Sequence, residues 1–475
     1  MLDRKDFSLY ASAITKWIAD YFQQLEQLPV KSAVKPGEIY QQIPAHIPAE
    51  GEPIPDMLKD LSDIILPGIT HWQHPNFHAY FPANSSVESV YAEMLTAALG
   101  VQGMIWETSP AAAELEERMM EWLRDAMGLP SNWEGVIQDT ASSATLVALL
   151  TAREKATDFQ SNETGTPGHL RVYCSTQTHS SIEKGVKIAG IGRRNLIKIP
   201  VDEQLAMQAE ALEAQIRADL QAGLQPCCVV SAIGTTGTLA VDPIKEISRI
   251  CQEYDIWHHV DAAYAGSALL LPEYQWMGEG IAQADSFVFN PHKWLFTNFD
   301  CTAYYVKDPG ILVRTLDILP EYLRTATRGQ VNDYRDWGIP LGRRFRALKL
   351  WFVMRSYGLN GMQEKLRHHI QLNRAFAEGV EQHADFELLM PPFLNATCFR
   401  YAPQGLPPQY LDELNESLLQ RVNSSGEAYL THTKIGNTYT LRMVIGQTYV
   451  EERHVKKTWA LLQGLAEQCK KGAHT

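Results

Sequence analysis

Apolar residues near the start of the chain recur at spacings of three and four, which predicts an amphipathic helix. A proline-rich stretch from Pro29 to Pro55 follows, with too little periodicity for a core of its own. A further helical segment is predicted around 57–65. An amphipathic helix followed by extended chain is better suited to wrapping around another subunit than to forming a closed core. Residues 1–83 are therefore predicted to form a helical dimerisation arm. The apolar stripe of the first helix consists of Phe7, Tyr10, Ile14, Trp17, Ile18, Tyr21, Phe22 and Leu25.

Between residues 84 and 346 short apolar runs alternate with helical patterns. This alternation is typical of a mostly parallel sheet flanked by helices, so residues 84–346 are predicted to be the large domain of an α/β protein. The predicted strands are 135–138, 170–175, 195–199, 227–232, 256–260, 286–290 and 302–306. The helices predicted between them are 110–127, 141–155 and 206–222.

The remaining residues, 347–475, are predicted to form a small C-terminal α+β domain. A long helix near 346–357 leads into it. A predicted strand at 439–445 follows a Gly436-Asn437 turn, a dipeptide position that favours an antiparallel hairpin.

Composition and charge exclude several classes of partner. Of 475 residues, 45% are hydrophobic and 20% charged, as in ordinary globular proteins. The net charge of −13 argues against nucleic acid, because no segment carries the dense Lys/Arg face that phosphate neutralisation needs. The short run Arg343-Arg344-Phe345-Arg346 is interpreted as a set of buried or inter-subunit ion pairs.

Cysteine usage and hydropathy bear on the compartment. The seven cysteines include no Cys-x-x-Cys spacing, so neither a disulfide framework nor a zinc ribbon is indicated. No run of eighteen apolar residues occurs, and residues 1–6 have no apolar signal region behind them. We expect a soluble cytoplasmic protein with no membrane partner.

Two strand-like apolar runs end abruptly in ionisable residues. One delivers Asp261 and the next delivers Lys293, a separation that allows one crossover between neighbouring parallel strands. Ligands of open α/β sheets lie outside the carboxyl ends of the strands, so this carboxylate and amine are predicted to share a crevice. An aldehyde for the amine and a ring nitrogen for the carboxylate describe pyridoxal 5′-phosphate (PLP).

Two further segments suit such a cofactor. Thr140, Ala141 and Ser142 lie between a predicted strand and an apolar helix, where free N–H groups and the helix dipole can cradle a phosphate. His179 follows another predicted strand and could stack on the cofactor ring or pass protons near neutral pH. Taken alone, the segment at Thr140 is better explained as an ordinary helix cap, and His179 is also compatible with one.

Taken together, these segments resemble the PLP-dependent aromatic L-amino-acid decarboxylase family, of aminotransferase fold type I. The similarity extends from the N-terminal arm to the last helix and implies a seven-stranded sheet. The blocks that carry it are His74-Pro-Asn-Phe-His-Ala-Tyr-Phe-Pro82, Ser109-Pro-Ala-Ala-Ala-Glu-Leu-Glu116, Val136-Ile-Gln-Asp-Thr-Ala-Ser142, His259-Val-Asp-Ala-Ala-Tyr-Ala-Gly266, Asn290-Pro-His-Lys-Trp294, Asn298-Phe-Asp-Cys301 and Ile339-Pro-Leu-Gly-Arg-Arg-Phe-Arg346.

The resemblance implies a role for individual residues. Lys293 corresponds to the lysine that binds the cofactor aldehyde, Asp261 to the partner of the ring nitrogen and His179 to the ring-stacking histidine. Tyr322 corresponds to a loop tyrosine that protonates the substrate carbon. The implied phosphate residues are Thr140, Ala141, Ser142 and Asn290, and the other implied cofactor contacts are Thr236, Ala263 and His292. One departure is Asp139, which stands where the family commonly has glycine.

The expected reaction is α-decarboxylation of an aromatic L-amino acid such as tryptophan, DOPA, tyrosine or phenylalanine. The wall Trp72, Tyr80, Phe81 and Pro82 suits an aromatic ring. Gly342 corresponds to a position where glycine is associated with larger rings, and Gln102 and Met104 could alter the preference. No basic group is obvious near these residues, so glutamate is a less favoured substrate. Histidine is also less favoured as a substrate than the larger aromatic amino acids.

Other reaction classes remain open at this point. An aromatic aldehyde synthase shares the scaffold but tends to differ at the positions of His179 and Tyr322. An aminotransferase would need a keto-acid acceptor. A nicotinamide-dependent oxidoreductase would need the Gly-x-Gly-x-x-Gly fingerprint of dinucleotide binding. The sequence offers only Gly190-Ile-Gly192, which is shorter than that fingerprint.

No metal site is predicted, since Pro75 interrupts the spacing of His71, His74 and His78 and no carboxylate pair accompanies them. The arm and the extent of apolar surface predict a homodimer whose active sites are completed across the interface.

Overall fold

The computed structural model describes residues 4–318 and 329–472. The chain divides into two compact units, Ala83–Ile370 and Met1–Pro82 together with Gln371–Thr475. Sequence placed the borders at 83/84 and 346/347 and treated residues 1–83 as a separate arm. The second border lies 24 residues later because the first part of the helix at 347 packs within the larger unit. There Lys349 pairs with Glu93 at 3.0 Å, and Gln363 donates to the Leu270 carbonyl at 2.7 Å.

Strands in the described residues form two sheets. The larger has the order β1-β7-β6-β5-β4-β2-β3, with β7 antiparallel to both neighbours and the other pairs parallel. The predicted mostly parallel seven-stranded sheet is therefore confirmed. The strands are β1 Glu134–Gln138, β2 Leu170–Ser175, β3 Leu196–Ile199, β4 Gln225–Ala232, β5 Trp257–Asp261, β6 Ser286–Phe289, β7 Thr302–Val306, β8 Phe386–Leu388, β9 Ala396–Tyr401, β10 Thr431–Ile435 and β11 Thr438–Val444.

Helices fill most of the intervals between strands. In the described ranges none is long and apolar enough to cross a membrane. The α-helices are α1 Phe7–Gln24, α2 Glu38–Gln42, α3 Ile54–Asp60, α4 Val87–Leu99, α5 Pro110–Met127, α6 Ala141–Ala156, α7 Ser161–Thr164, α8 Ser181–Ile188, α9 Ala209–Gln221, α10 Ile244–Glu253, α11 Pro291–Trp294, α12 Pro309–Leu316, α13 Ala347–Glu381, α14 Pro408–Ser424 and α15 Glu452–Gly472.

Helix boundaries follow local chemistry. Helix α5 starts where the Ser109 hydroxyl accepts the Ala112 N–H at 3.3 Å, with Pro110 in the first turn, and it ends at left-handed Gly128. Helix α13 is interrupted at Gly358, whose φ of 62° and ψ of 172° are not helical. Helix α9 begins three residues later than predicted because Met207 forms a bridge with Val201 instead.

The core of the larger unit lies between the parallel strands and helices α6 and α8. It contains large aromatic residues such as Trp257 and Tyr304 together with small and branched residues such as Ala144, Ala148, Val172 and Val230. The small residues of α6 allow this helix to lie close to the sheet, which places the start of α6 at the carboxyl edge of the strands.

The smaller unit contains an antiparallel sheet of order β10-β11-β9-β8. Strands β10 and β11 pair across the two-residue loop Gly436-Asn437, with Ile435 opposite Thr438, so the predicted hairpin is confirmed. Gly436 has a φ of 59°, a left-handed conformation that glycine adopts without strain at the first position of such a turn. The short helix α2 within the proline-rich stretch was not anticipated from periodicity.

Candidate active site

Six strands of the large sheet end at the same edge. Strand β1 runs in the direction of the parallel strands, because it is antiparallel to β7 and β7 is antiparallel to β6. The carboxyl ends of β1 to β6 therefore lie at one edge of the sheet. Every cofactor residue predicted from sequence belongs to the end of β1, β2, β4, β5 or β6 or to the segment that follows it.

Lys293 lies on a one-turn helix directly after β6. Its N–H donates to the Asn290 carbonyl at 2.9 Å, and the Leu295 N–H donates to the Pro291 carbonyl at 3.0 Å. The flanking His292 and Trp294 are buried, whereas Lys293 itself is only partly buried. This turn fixes the backbone of the lysine while leaving its side chain towards the edge of the sheet.

Asp261 is the last residue of β5 and is 9% exposed. Its Oδ1 accepts the Ala263 N–H at 3.0 Å. Within the described chain no hydrogen bond uses Oδ2. A buried carboxylate with one oxygen fixed by backbone and the other available fits a protonated ring nitrogen.

His179 precedes helix α8. Its Nδ1 accepts the Ser181 N–H at 3.1 Å and lies 2.8 Å from the Ser181 hydroxyl. Since a backbone N–H can only donate, the neutral ring carries its proton on Nε2. Burial lowers the pKa of His179, the Asp261 carboxylate opposes this shift and the Lys293 amine reinforces it. Both groups thus act on His179, and we refer to His179, Asp261 and Lys293 as the electrostatic group.

The start of helix α6 forms a phosphate cradle. The Thr140 hydroxyl accepts the Ser143 N–H at 3.3 Å, which leaves the N–H groups of Ala141 and Ser142 without a partner inside the helix. The Asp139 carboxylate accepts the Thr140 N–H at 2.8 Å. A cradle of this kind suits a phosphate, although here a carboxylate borders it.

Asn290 is oriented towards this cradle by a residue that sequence reasoning missed. The Thr302 hydroxyl lies 2.9 Å from the Asn290 Oδ1 and 3.2 Å from the Asp139 carbonyl. Because Oδ1 accepts from Thr302, the Asn290 Nδ2 is left to donate to an anion. Thr302 lies opposite Gln138 in the sheet register, a relation that no local motif reveals.

The remaining predicted cofactor residues lie in the loops at the carboxyl edge of the sheet, and two of them make contacts that hold these loops in place. The Ala263 carbonyl accepts the Asn290 N–H at 2.9 Å, which ties the loop after β5 to the lysine turn. His292 accepts the Cys301 N–H at 3.0 Å, and burial lowers its pKa to about 3, so it is neutral. Thr236 is exposed in the loop after β4. That loop needs Gly234, whose φ is 84° and where a Cβ would lie 2.5 Å from the Ala265 Cβ.

Behind the lysine turn lies a buried aromatic group that the sequence did not reveal. The Trp294 indole donates to the His369 Nδ1 at 3.0 Å, and the Tyr264 ring stacks on Trp294 with centroids 5.2 Å apart. Tyr264 follows Asp261 by three residues and Trp294 follows Lys293. This group therefore connects the segments that carry both ionisable side chains.

The predicted substrate residues fall into two sets, one in each unit. In the smaller unit, Trp72 stacks on Tyr80 with centroids 5.7 Å apart, and the Tyr80 hydroxyl lies 3.1 Å from that of Tyr429. Phe81 packs under the Arg442 guanidinium at 4.4 Å, and Pro82 ends this segment. Tyr80 has a φ of 52°, a strained conformation typical of ligand-contacting positions.

In the larger unit, Gln102 and Gly342 lie together. The Gln102 Oε1 accepts the Arg343 N–H at 2.7 Å, and its Nε2 is 3.1 Å from where a Cβ of residue 342 would be. The Met104 carbonyl accepts the Arg335 N–H at 2.8 Å. Tyr322 lies outside the described residues, so its role stays a prediction.

The arginine run forms internal ion pairs, as the sequence suggested. Arg343 pairs with Glu116 at 2.6 Å, Arg344 pairs with Glu93, and Arg346 binds Asp300 through two contacts of 3.0 Å. These guanidinium groups are thereby neutralised by carboxylates of the same unit.

The chain is similar to known decarboxylases over most of its length. A family profile described as the pyridoxal-dependent decarboxylase conserved domain matches residues 36–402. Tyrosine decarboxylase 2 of Narcissus pseudonarcissus is 42% identical, over 98% of this chain and 95% of its own. Phenylacetaldehyde synthase of a Rosa hybrid cultivar is 40% identical, over 98% and 95%. The crystal structure of Oryza sativa TDC with PLP and tryptamine superposes with a TM-score of 0.95 at 35% identity, covering 98% of this chain and 99% of that one.

Proposed function

The chain belongs to the pyridoxal-dependent decarboxylase family, and from this premise we propose that it removes the α-carboxylate of an aromatic L-amino acid, giving the arylalkylamine and CO₂. The observation that carries the proposal is that His179, Asp261 and Lys293 lie at or directly after the carboxyl ends of β2, β5 and β6, at the edge that also holds the phosphate cradle. Binding the cofactor and stabilising negative charge near the substrate are both within reach of such a site.

PLP is the cofactor of this family, and the described residues fit it. Asp261 would hold the ring nitrogen, Lys293 the aldehyde carbon, and Ala141, Ser142 and Asn290 the phosphate. When bound, PLP supplies the electron-accepting ring for the pair left by loss of CO₂. The protein supplies orientation and a carboxylate that favours positive charge on the ring nitrogen.

Proton transfer is assigned to His179 and Tyr322. The neutral His179 ring carries a proton on Nε2 and can give or take one at that atom. Burial keeps its pKa below the usual range, so the ring stays neutral near pH 7. We assign Tyr322, by resemblance, to protonation of the substrate α-carbon.

The aromatic substrate is supported by the chemistry of both substrate sets. Trp72 and Tyr80 offer a stacked aromatic surface, and Met104 and Gly342 add no charge. The nearby Arg343 guanidinium is directed to Glu116 and the Ile137 carbonyl, so it does not call for an acidic side chain. Relatives named as tyrosine and tryptophan decarboxylases agree with an aromatic substrate.

The decisive experiment replaces the lysine. Lys293→Ala is expected to abolish the visible absorbance of bound cofactor and all release of CO₂, because no other group on this turn offers an amine. Lys187→Ala, which changes an exposed lysine paired with Glu183, is the matched control and should behave as wild type. Release of CO₂ by Lys293→Ala at the normal rate would refute the assignment.

Substrate class is tested by comparing kcat/KM for tryptophan, DOPA, tyrosine, phenylalanine, histidine and glutamate. An aromatic amino acid is expected to be preferred. A preference for glutamate would refute the aromatic assignment while leaving decarboxylation intact.

An aromatic aldehyde synthase is the second candidate, since relatives with that name match almost the whole chain. It would release ammonia and peroxide together with CO₂. The presence of His179 and Tyr322 favours plain decarboxylation. Assays for ammonia and peroxide during turnover distinguish the two reactions.

We also propose that two copies form a homodimer with shared active sites. Helix α1 has no buried residue, and Phe7 and Leu9 are exposed on it. Helix α4 exposes Tyr91, Met94, Leu95 and Leu99, a continuous apolar stripe at helical spacing. Sedimentation should give a dimer, and Leu95→Glu should yield inactive monomers. A fully active monomer would contradict the proposal.

A cytoplasmic location is proposed from the thiols. All seven cysteines are free and buried, and burial raises the pKa of Cys227 and Cys301 to about 12. Protonated, unpaired thiols suit a reducing compartment. Cell fractionation tests this location.

A further inference from the structure

Gln102 presents a hydrogen-bond donor whose direction is fixed by the backbone. Its Oε1 accepts the Arg343 N–H at 2.7 Å. Because only the carbonyl end of a carboxamide can accept from a backbone N–H, the amide cannot be flipped. The Nε2 group, with its two protons, must therefore point away from Arg343.

The loop that carries Gln102 is itself held firmly. The Gly103 N–H donates to the Arg343 carbonyl at 2.9 Å, and the Thr108 hydroxyl donates to the Gln102 carbonyl at 2.8 Å. The Arg343 guanidinium, bound to Glu116 at 2.6 Å, anchors the opposing loop. The carboxamide is thus positioned from both sides, with little ordering left to occur on binding.

The Gln102 Nε2 packs directly against Gly342, where a Cβ would lie only 3.1 Å from it. Glycine at 342 therefore leaves room for the carboxamide in this orientation. Within residues 4–318 and 329–472 no hydrogen bond uses this nitrogen, and Gln102 and Gly342 are both exposed in the single chain. The result is a fixed, solvent-accessible N–H donor, with Met104 on the same loop.

We propose that Gln102 determines specificity by donating from Nε2 to an oxygen on the ring of the substrate. This inference rests on the proposed function, in which Gln102, Met104 and Gly342 line the substrate site. A phenol or catechol oxygen can accept such a bond, whereas an indole N–H can only donate and a phenyl ring offers no acceptor of this kind. The preferred substrates are therefore aromatic L-amino acids with a ring hydroxyl.

The test compares tyrosine with phenylalanine, which differ only in the ring hydroxyl. Wild type should favour tyrosine in kcat/KM. The nearly isosteric Gln102→Met should lower kcat/KM for tyrosine by about tenfold more than kcat/KM for phenylalanine, because only tyrosine loses a hydrogen bond to Nε2. If the variant acted only by removing the contact with the Arg343 N–H, kcat/KM would fall by the same factor for both substrates.

Gln102→Glu supplies the matched control. It keeps an acceptor for the Arg343 N–H but replaces the Nε2 donor by oxygen. This variant should remain active towards tyrosine, whose O–H can donate to the carboxylate. It should lose activity towards O-methyltyrosine, whose ether oxygen can only accept. Thermal melting of both variants checks that they fold.

Two results would overturn the inference. One is an unchanged ratio of kcat/KM for tyrosine to kcat/KM for phenylalanine in Gln102→Met, and the other is full activity of Gln102→Glu towards O-methyltyrosine. Either result leaves the proposed decarboxylation standing, as long as wild type releases CO₂ from aromatic amino acids. If no aromatic amino acid is decarboxylated, the proposed function fails first.

Discussion

At the scale of single residues, side chains of similar chemistry have different roles in the site. Asp261 is buried and fixed through Oδ1, so it is suited to a constant charge. His179 and His292 are both histidines whose pKa burial lowers, yet only His179 interacts electrostatically with both Asp261 and Lys293. His292 instead accepts the Cys301 N–H and fixes the loop after the lysine. Position within the edge, and not residue type, decides which histidine can take part in chemistry.

Asp139 is expected to weaken binding of the phosphate-bearing cofactor. Its carboxylate borders the start of helix α6 and repels a phosphate placed there. Asp139→Asn keeps an oxygen to accept the Thr140 N–H and removes only the charge. We expect the Kd of the apo protein for PLP, measured by fluorescence titration, to fall by roughly tenfold at low salt.

The same titration at high salt provides a control. Screening should reduce the difference between wild type and Asp139→Asn, because the effect is electrostatic. Binding that is equal or weaker in the variant at low salt would contradict the expectation.

At the scale of elements, short helices do more for the site than long ones. Helix α11 has only four residues, and its one turn sets the backbone of Lys293. It is held from behind by the Trp294 indole bound to His369 on helix α13. Helix α6 contributes its first turn to the cradle, and its buried small residues place that turn at the sheet edge. The long helices supply fixed points for these short segments.

Replacement of His369 is expected to loosen the lysine turn. His369→Leu leaves the buried Trp294 N–H unpaired, which costs about 1–3 kcal/mol. We expect a lower melting temperature of the apo protein, a reduced kcat and a changed visible spectrum of bound cofactor, with KM little altered.

His369→Gln offers an oxygen to the same indole and should recover part of each effect. A purely structural role would lower the melting temperature without altering the spectrum or kcat. Wild-type values for His369→Leu in all three measurements would show that the contact is dispensable.

At the scale of the whole molecule, both units bury histidines that have hydrogen-bond partners inside the same unit. His258 lies between the hydroxyls of Ser231 and Ser248 at 2.7 and 3.0 Å. His259 contacts the Ser286 hydroxyl at 2.9 Å. In the smaller unit, His78 is bonded to the Val444 carbonyl at 3.1 Å. These neutral histidines tie stability to pH.

Acid should destabilise the protein well above the pH at which carboxylates titrate. Burial lowers the pKa of His78, His258, His259 and His292 to about 3. Below pH ~6.5 the unfolded chain binds protons at these sites and the folded chain does not, so stability falls with pH by about 1.4 kcal/mol per unit for each histidine.

Melting temperatures measured from pH 7.5 to pH 5 should therefore decrease steadily. His258→Gln, which removes one of these groups, should start from a lower melting temperature and decline less steeply. A constant melting temperature across this range would contradict the assignment of neutral buried histidines.

Much of the fold was predictable from sequence because its signals are local. The seven strands of the large sheet are short apolar runs bounded by turns, and each was located to within two residues at either end. Helix α5 was predicted with its exact bounds, since Ser109, Pro110 and Gly128 mark both ends. The domain border at 346/347 was misplaced because periodicity does not reveal which unit a continuous helix packs against.

By itself, the sequence determined which residues end the strands, and hence that Asp261, His179, Lys293 and the start of helix α6 share one edge. Only the tertiary structure decided which atoms remain available there. Thr302 orients Asn290, Arg343 fixes the amide of Gln102, and His369 holds Trp294. Each of these contacts joins residues that are 12 or more positions apart, 241 in the case of Gln102 and Arg343. Strand ends follow from patterns over a few residues, whereas such contacts depend on how distant segments pack.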